Sequence, residues 1–153
     1  MAVQYLIYTQ KFTVTPLELS QMISAQNTIK TQWEKKDVSQ TTLNSKLIPF
    51  AGIVKILFKV NTVNVLAVSA SFIIGALLDM WNSAKGYEYS YLCDGIEGMQ
   101  NVLNATHTFD KIEVTFGCLR VYDTADASEM HYIASNHGIV HAGWINGQRI
   151  PLD

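Results

Sequence analysis

Hydrophobic and polar residues alternate at the start of the chain. Val3, Tyr5 and Ile7 alternate with polar or weakly polar neighbours, and Phe12 and Val14 resume the alternation after a short polar break. Successive side chains of a β-strand point to opposite faces of a sheet. The pattern therefore predicts one strand, or two strands joined by a tight turn.

The pattern changes to a helical period at Thr15. The run TPLE combines a capping Thr15, a Pro16 that fits the first helical position, and a Glu18 that reaches back to the cap. Apolar residues at spacings of three and four then predict a helix that buries one face, namely Leu19, Met22, Ile23, Ile29 and Trp33. The polar run EKKD predicts its end.

The middle of the chain is almost wholly apolar. A second helical segment is predicted from about Ser39 to Lys59, with an interruption at Pro49. A further helix is predicted from Asn61 or Thr62 to Gly86, and no charged residue occurs between positions 60 and 78. Residues 46–85 are therefore predicted to form a strongly apolar helical hairpin.

Short alternating segments dominate the rest of the chain. Strands are predicted in YEYSYLC, KIEVTFGCLRVYD, MHYIA, IVHAGWI and QRIPL, and DGIEGMQNVLNAT is predicted as a short helix capped by Asp94. We expect a bulge at Gly117, where the alternation changes phase, a hairpin about the run SNHG, and a type I′ hairpin at Asn146-Gly147.

These elements predict a single α+β domain over residues 1–153. The helical part is expected within residues 16–85, and residues 87–153 are expected to be mainly β-structure with one short helix. The apolar hairpin is expected to pack on a mostly antiparallel sheet, which the C-terminal half forms with the N-terminal strand.

Charge is distributed unevenly along a chain whose net charge is −2. Residues 1–37 contain four bases and three acids, residues 38–78 contain three lysines and no acid, and residues 79–153 contain ten acids and four bases. The bases form no patch, so nucleic acid is not a predicted partner. A cationic apolar middle before an acidic half indicates a membrane or an internal electrostatic match.

Three interpretations of the uncharged segment stay open. It is a core helix of a soluble fold, a single membrane anchor, or a helix that leaves the soluble protein to enter a bilayer. Small and polar residues recur along it at spacings of three and four and form a seam of Asn64, Ala67, Ser71, Gly75 and Asp79. Small residues at this spacing let helices approach closely, so self-association is one expectation.

The preceding helical segment resembles a membrane-surface helix in composition. Its lysines would attract the chain to anionic lipid, and its apolar residues would enter the interface. The predicted membrane-binding set is Lys46, Lys55, Lys59, Ile48, Phe50, Ile53, Ile56, Leu57 and Phe58, with Trp81 as an interfacial anchor.

From this set we predict a membrane-active antimicrobial protein of the bacteriocin or toxin kind that acts on anionic membranes. The sequence begins with a strand pattern and shows no leader, so secretion requires that a leader has been removed. A cytoplasmic location is the alternative.

A second functional hypothesis comes from the acidic C-terminal half. A non-enzymatic interaction or inhibitor protein would hold a basic partner there, in a complex that high salt dissociates. The carboxylates of Asp94, Glu97, Asp110 and Glu113 are expected on a solvated face, without the spacing of a hydrolase pair.

Candidate chemistry is sparse. His131, His137 and His141 would bind a metal only if strand register brought them together, and no zinc-site spacing accompanies them. Cys93 and Cys118 form a disulfide or remain two thiols, and neither lies in a signature of a nucleophilic cysteine. We predict no enzymatic activity, no metal and no cofactor.

Overall fold

Helices and an antiparallel sheet make up the described chain, which confirms the α+β class. The computed structural model describes residues 3–36, 39–59, 87–123 and 129–153. The strands are β1 (Val3–Val14), β2 (Lys111–Asp123), β3 (Glu129–Ile133), β4 (Ile139–Ile145) and β5 (Gln148–Pro151). The helices are α1 (Pro16–Lys35), α2 (Gln40–Leu47), α3 (Ala51–Phe58) and α4 (Tyr87–Thr106), with a 3₁₀ turn at Ile48–Phe50.

Strand β2 is the central element of the sheet. Its whole length pairs with β1, from Val3 opposite Asp123 to Val14 opposite Ile112. The prediction of an N-terminal strand is correct, and the open choice between one strand and two resolves to a single strand of 12 residues.

The opposite edge of β2 pairs with two shorter strands in succession. Its second half pairs with β3 and its first half with β4, so β3 and β4 lie end to end. The predicted hairpin at SNHG is therefore wrong. Residues 134–138 connect two strands that run in the same direction along one edge of β2, whereas a hairpin would reverse the chain. The predicted bulge at Gly117 is also wrong, because Gly117 stays opposite Thr9 and the register shift lies at His141, which has no partner position on β2.

The turn and cap predictions are correct where side-chain chemistry dictates them. The N–H of Thr15 donates to Oε1 of Glu18 at 2.9 Å, and the N–H of Glu18 donates to Oγ1 of Thr15 at 3.1 Å. Asn146 and Gly147 have φ of 53° and 80° and join β4 to β5, as a type I′ turn requires.

The helical segment predicted from Ser39 to Lys59 is also present. It runs as α2, the turn at Pro49, and α3, and Ser39 caps α2 through the N–H of Thr42. The predicted next helix and its end at Gly86 lie outside the described residues.

The strand predicted in YEYSYLC is wrong, because these residues form the first turns of α4. The buried positions of α4 recur at helical spacing through Glu88, Leu92, Ile96 and Met99. The seven residues of this run match a strand pattern only when they are read alone. Together with the residues that follow, they match a helical pattern. Asp94 consequently lies inside the helix instead of capping it.

Helix α4 closely approaches β3 and the segment that follows it at two glycines. A Cβ on Gly95 would lie 1.7 Å from the carbonyl oxygen of Ile133, and a Cβ on Gly98 would lie 2.1 Å from that of Ser135. Gln26 of α1 completes this contact: its Nε2 donates to the carbonyl of Ile133 at 2.7 Å, and its Oε1 accepts the N–H of Ile133 at 3.0 Å. At Ile133 the outer edge of β3 is thus satisfied by a side chain.

Replacing Gln26 with Leu is expected to lower the free energy of unfolding by about 3 kcal/mol, because the buried N–H and C=O of Ile133 lose their partner. Chemical denaturation measures the change. Gln100→Leu, on the exposed side of α4, is the matched control and should change stability by less than about 0.5 kcal/mol. Equal effects of both changes would contradict the role of Gln26.

Candidate functional site

The residues of α2 and α3 separate into a buried side and an exposed side. Leu43, Leu47 and Val54 are fully buried, whereas Ile48 is 60% exposed and Ile56 is 44% exposed. Lys46 and Lys55 are also exposed. We call the exposed side, consisting of Lys46, Ile48, Lys55 and Ile56, the α2–α3 surface.

Three residues of the predicted membrane-binding set belong to the core instead. Ile53, Leu57 and Phe58 are 4%, 1% and 0% exposed, and they pack in the main hydrophobic cluster. An apolar helix beside a sheet buries its wider face, and hydropathy does not separate lipid contact from core contact. That these three residues enter a membrane interface stays a prediction. Phe50 is half-buried against the core.

An open groove adjoins the α2–α3 surface. It has a volume of about 270 Å³ and is lined by Glu18 and Gln21 of α1, by the turn at Pro49 and Phe50, and by residues of α3. Leu17, which is 68% exposed, lies one helical turn before Gln21 on the same side of α1. The Glu18 carboxylate accepts the N–H of Thr15, so the groove combines polar groups of α1 with apolar residues of the turn and α3.

The remaining membrane predictions fall on residues that are not described. Trp81 and the seam of Asn64, Ala67, Ser71, Gly75 and Asp79 lie outside the described residues. Within residues 3–36, 39–59, 87–123 and 129–153, each helix is too short or too polar to cross a bilayer.

The three candidate histidines do not converge. His131 lies opposite Arg120 of β2, and His141 lies beside Glu113, which is roughly 20 Å further along β2 at the usual rise per residue. His141 contacts Thr115 and Asp153, and His137 is exposed in the loop before β4. The described part of the chain contains no group of three side chains able to hold a metal ion.

The structure instead places His131 in a polar network. The Tyr8 hydroxyl contacts Nδ1 of His131, Nε2 of His131 lies 3.6 Å from Oε1 of Glu129, and Arg120 Nε contacts the other oxygen of Glu129 at 2.5 Å. These residues and Leu6 line an open pocket of about 360 Å³. We call it the Tyr8–His131 pocket.

Strand register explains why these side chains share one face. Leu6 pairs with Arg120, Tyr8 with Cys118, and Arg120 in turn with His131. Directly paired residues point to the same face of a sheet, and so do residues two apart along one strand. The network could therefore have been found from the sequence only if the strand order were known. The residues next to His131 in the sequence do not by themselves indicate that its side chain belongs to a network.

Burial and charge set the protonation states of the pocket. Burial lowers the pKa of His131, and the cations Lys59 and Arg120 oppose the effect of Glu129. Burial would raise the pKa of Glu129, but the hydrogen bond and charge of Arg120 hold it below its usual value. Burial also raises the pKa of the Tyr8 hydroxyl, which therefore keeps its proton.

Lys59 lies next to this pocket, over the ring of Tyr8. It ends α3 in the left-handed conformation, with φ of 51°, and its ammonium lies 5.3 Å from the centroid of the Tyr8 ring. Its role as a third lipid-facing lysine stays a prediction, and it is not included in the α2–α3 surface.

Cys93 and Cys118 are both free thiols. Cys93 is half-buried on α4, whereas Cys118 is buried in β2 opposite Tyr8. Burial raises the pKa of Cys118 to about 11, so its reactive thiolate form is scarce at neutral pH.

Four of the ten acidic residues in the C-terminal half have partners within the described chain. The pairs are Glu113 with Lys11 and Arg149, Glu129 with Arg120, Asp153 with His141, and Asp110 with the N–H of Asn146. Glu88 is 1% exposed. These five carboxylates are therefore less available to a basic partner than the composition alone suggests.

We expect the protein to lose stability as pH falls from 7 to 5, because the ordinary histidine pKa of 6.5 applies to unfolded His131 and the folded value is lower. Between these two values the unfolded state binds more protons, so stability rises with pH, by at most about 1.4 kcal/mol per unit for one group.

His131→Gln should flatten this dependence, and His137→Gln, at an exposed position, should leave it unchanged. Unfolding midpoints at several pH values measure both. An unchanged slope in His131→Gln would show that other groups cause the acid sensitivity.

Comparison with known proteins gives no match to this chain. No protein-family model matches the chain, and the curated proteins and the solved structures likewise give no match.

Proposed function

We propose that this protein binds anionic membrane surfaces reversibly through the α2–α3 surface. The observation that carries the proposal is the exposure of Ile48 and Ile56, two residues after Lys46 and next to Lys55, on a helical segment that has no acidic residue. Apolar side chains flanked by lysines are the combination that interfacial helices use. Leu17 extends the apolar contact from α1.

The expected affinity follows from the exposed groups. Each lysine near an anionic surface contributes about 1 kcal/mol. Each isoleucine is already partly buried, so its transfer into the interface contributes about 1 kcal/mol. The four residues together give on the order of 4 kcal/mol, which is weak and reversible attachment.

This mode of binding differs from insertion. Ile53, Leu57 and Phe58 hold α3 against the sheet, so the outer side contacts lipid while the fold stays intact. Permeabilisation by residues 61–81, the bacteriocin-like activity and secretion stay predictions from the sequence.

The acidic-partner hypothesis has less support. Three of its carboxylates, those of Glu113, Glu129 and Asp110, already pair with a lysine or arginine or accept a backbone N–H. A basic partner would have to displace these contacts, whereas lipid binding to the α2–α3 surface displaces none of them.

The double change Ile48→Thr with Ile56→Thr is expected to weaken binding to phosphatidylglycerol vesicles by about tenfold or more, since it removes the apolar contacts. Vesicle flotation measures the bound fraction. The matched control is Ile7→Thr with Ile139→Thr, because Ile7 is 61% exposed and Ile139 58% exposed on the sheet. Similar losses of binding in both variants, or no flotation of the unchanged protein, would contradict the proposal.

Neutralising Lys46 and Lys55 by changes to Gln is expected to reduce the preference for anionic over phosphatidylcholine vesicles by about tenfold or more. The same number of charges removed from α1 by Lys30→Gln and Lys35→Gln is the control and should have a much smaller effect. Flotation at low and high salt measures the preference. A preference that depends only on net charge would appear as equal effects of the two variants.

A further inference from the structure

We propose that the Tyr8–His131 pocket binds the carboxylate of a small organic acid. This site is separate from the α2–α3 surface and does not depend on membrane binding. Among the described residues it is lined by Leu6, Tyr8, Arg120, Glu129 and His131. Lys59 stands over the Tyr8 ring beside them.

A buried donor without an acceptor is the first observation. Since Tyr8 keeps its proton, we assign its hydroxyl as the donor to Nδ1 of His131, which places the proton of the neutral ring on Nε2. His131 is only 7% exposed, and its Nε2 has no hydrogen-bond partner among the described residues. Glu129 lies 3.6 Å away, beyond hydrogen-bond distance.

Charge balance is the second observation. The charged groups that act on His131 from the described residues are Glu129, Lys59 and Arg120. With His131 neutral, they leave one positive charge in excess. A monoanion neutralises this excess, whereas a phosphate dianion would replace it with a negative charge.

The geometry of Arg120 is the third. Its Nε is used by Glu129, and its guanidinium lies over the Tyr122 ring with Cζ 4.1 Å from the centroid. The other N–H groups of the guanidinium can bind a second carboxylate through two parallel hydrogen bonds.

The walls of the pocket select the rest of the ligand. Leu6 is 49% exposed at the rim, so the ligand meets an apolar side chain on leaving the cationic groups. The volume of about 360 Å³ lies at the lower end of the range of small-molecule pockets. A monocarboxylate with a compact apolar group fits both properties.

Benzoate is the probe for this proposal, with benzamide and inorganic phosphate as comparison arms. Titration of the ¹⁵N-labelled protein should give saturable benzoate shifts at Tyr8, Arg120, Glu129 and His131 with millimolar or tighter affinity, and no comparable benzamide shifts. Benzoate shifts that are absent, spread over the surface, or matched by benzamide overturn the proposal. Phosphate binding there without benzoate binding overturns the carboxylate assignment.

Arg120→Gln is expected to weaken benzoate binding by about tenfold or more, because it removes the forked donor. Arg149→Gln is the matched control: Arg149 also pairs with a glutamate and lies beside an aromatic ring, Trp144, at the other end of the sheet. Its benzoate affinity should stay within about twofold of the unchanged protein. Equal affinities in the two variants overturn the site.

A second pair of variants covers the case in which Arg120→Gln does not fold. Lys59→Asn removes the other cation at a position of positive φ, which Asn tolerates, and Lys36→Asn does the same at the end of α1, where φ is 52°. Benzoate affinity should fall by about fivefold in the first and stay unchanged in the second. No difference between them overturns the role of Lys59.

Discussion

The outer edge of β3 is bonded at Ile133 by the Gln26 side chain instead of another strand, and the packing of α1 and α4 on β3 depends on that contact. Gln26 both donates to and accepts from the backbone of Ile133, and it also donates to the carbonyl of Leu92 in α4. One amide therefore ties α1, α4 and β3 together. Because a backbone pair buried without a partner is costly, the position of β3 is tightly specified.

Fixing β3 also fixes the direction of its side chains. Tyr132 points to one side, where its hydroxyl donates to the carbonyl of Glu88 at 3.1 Å. His131 must then point to the other side, toward Tyr8 and Arg120. The Tyr8–His131 pocket is thus a consequence of the same contact that closes the sheet edge.

Local chemistry decided which parts of the fold could be predicted. The Thr15–Glu18 capping box and the Asn146-Gly147 turn each satisfy backbone groups within a few residues, so the sequence alone determines them. The line formed by β3 and β4 depends on the distant strand β2, and the SNHG segment has no local signal that separates it from a hairpin. The start of α4 was missed because its strand-like run hides a helical spacing that only a longer window reveals.

The candidate sites show the same limit. Lys46, Lys55 and Ile48 are exposed as composition suggested, but whether an apolar residue faces lipid or core depends on which side of α3 meets the sheet. The network of Tyr8, Glu129 and His131 joins residues more than a hundred positions apart, so no spacing within a segment could reveal it. The pairing of the acids with bases was equally hidden, since net charge counts residues without locating them.

Helix α3 contributes residues to the α2–α3 surface, and the residue at its end lies next to the Tyr8–His131 pocket. Its outer side belongs to the α2–α3 surface, while Phe58 anchors its end in the core and Lys59 stands over Tyr8. Shallow attachment to a membrane leaves Phe58 in place and the pocket complete. Deeper insertion of α3 would withdraw Phe58 from the core and carry Lys59 away from the pocket. A bound carboxylate would therefore oppose insertion by the free energy that Lys59 contributes to carboxylate binding. Reciprocal linkage of this kind would couple the withdrawal of α3 from the core to the state of the pocket, whereas shallow binding through the α2–α3 surface leaves the pocket unaffected.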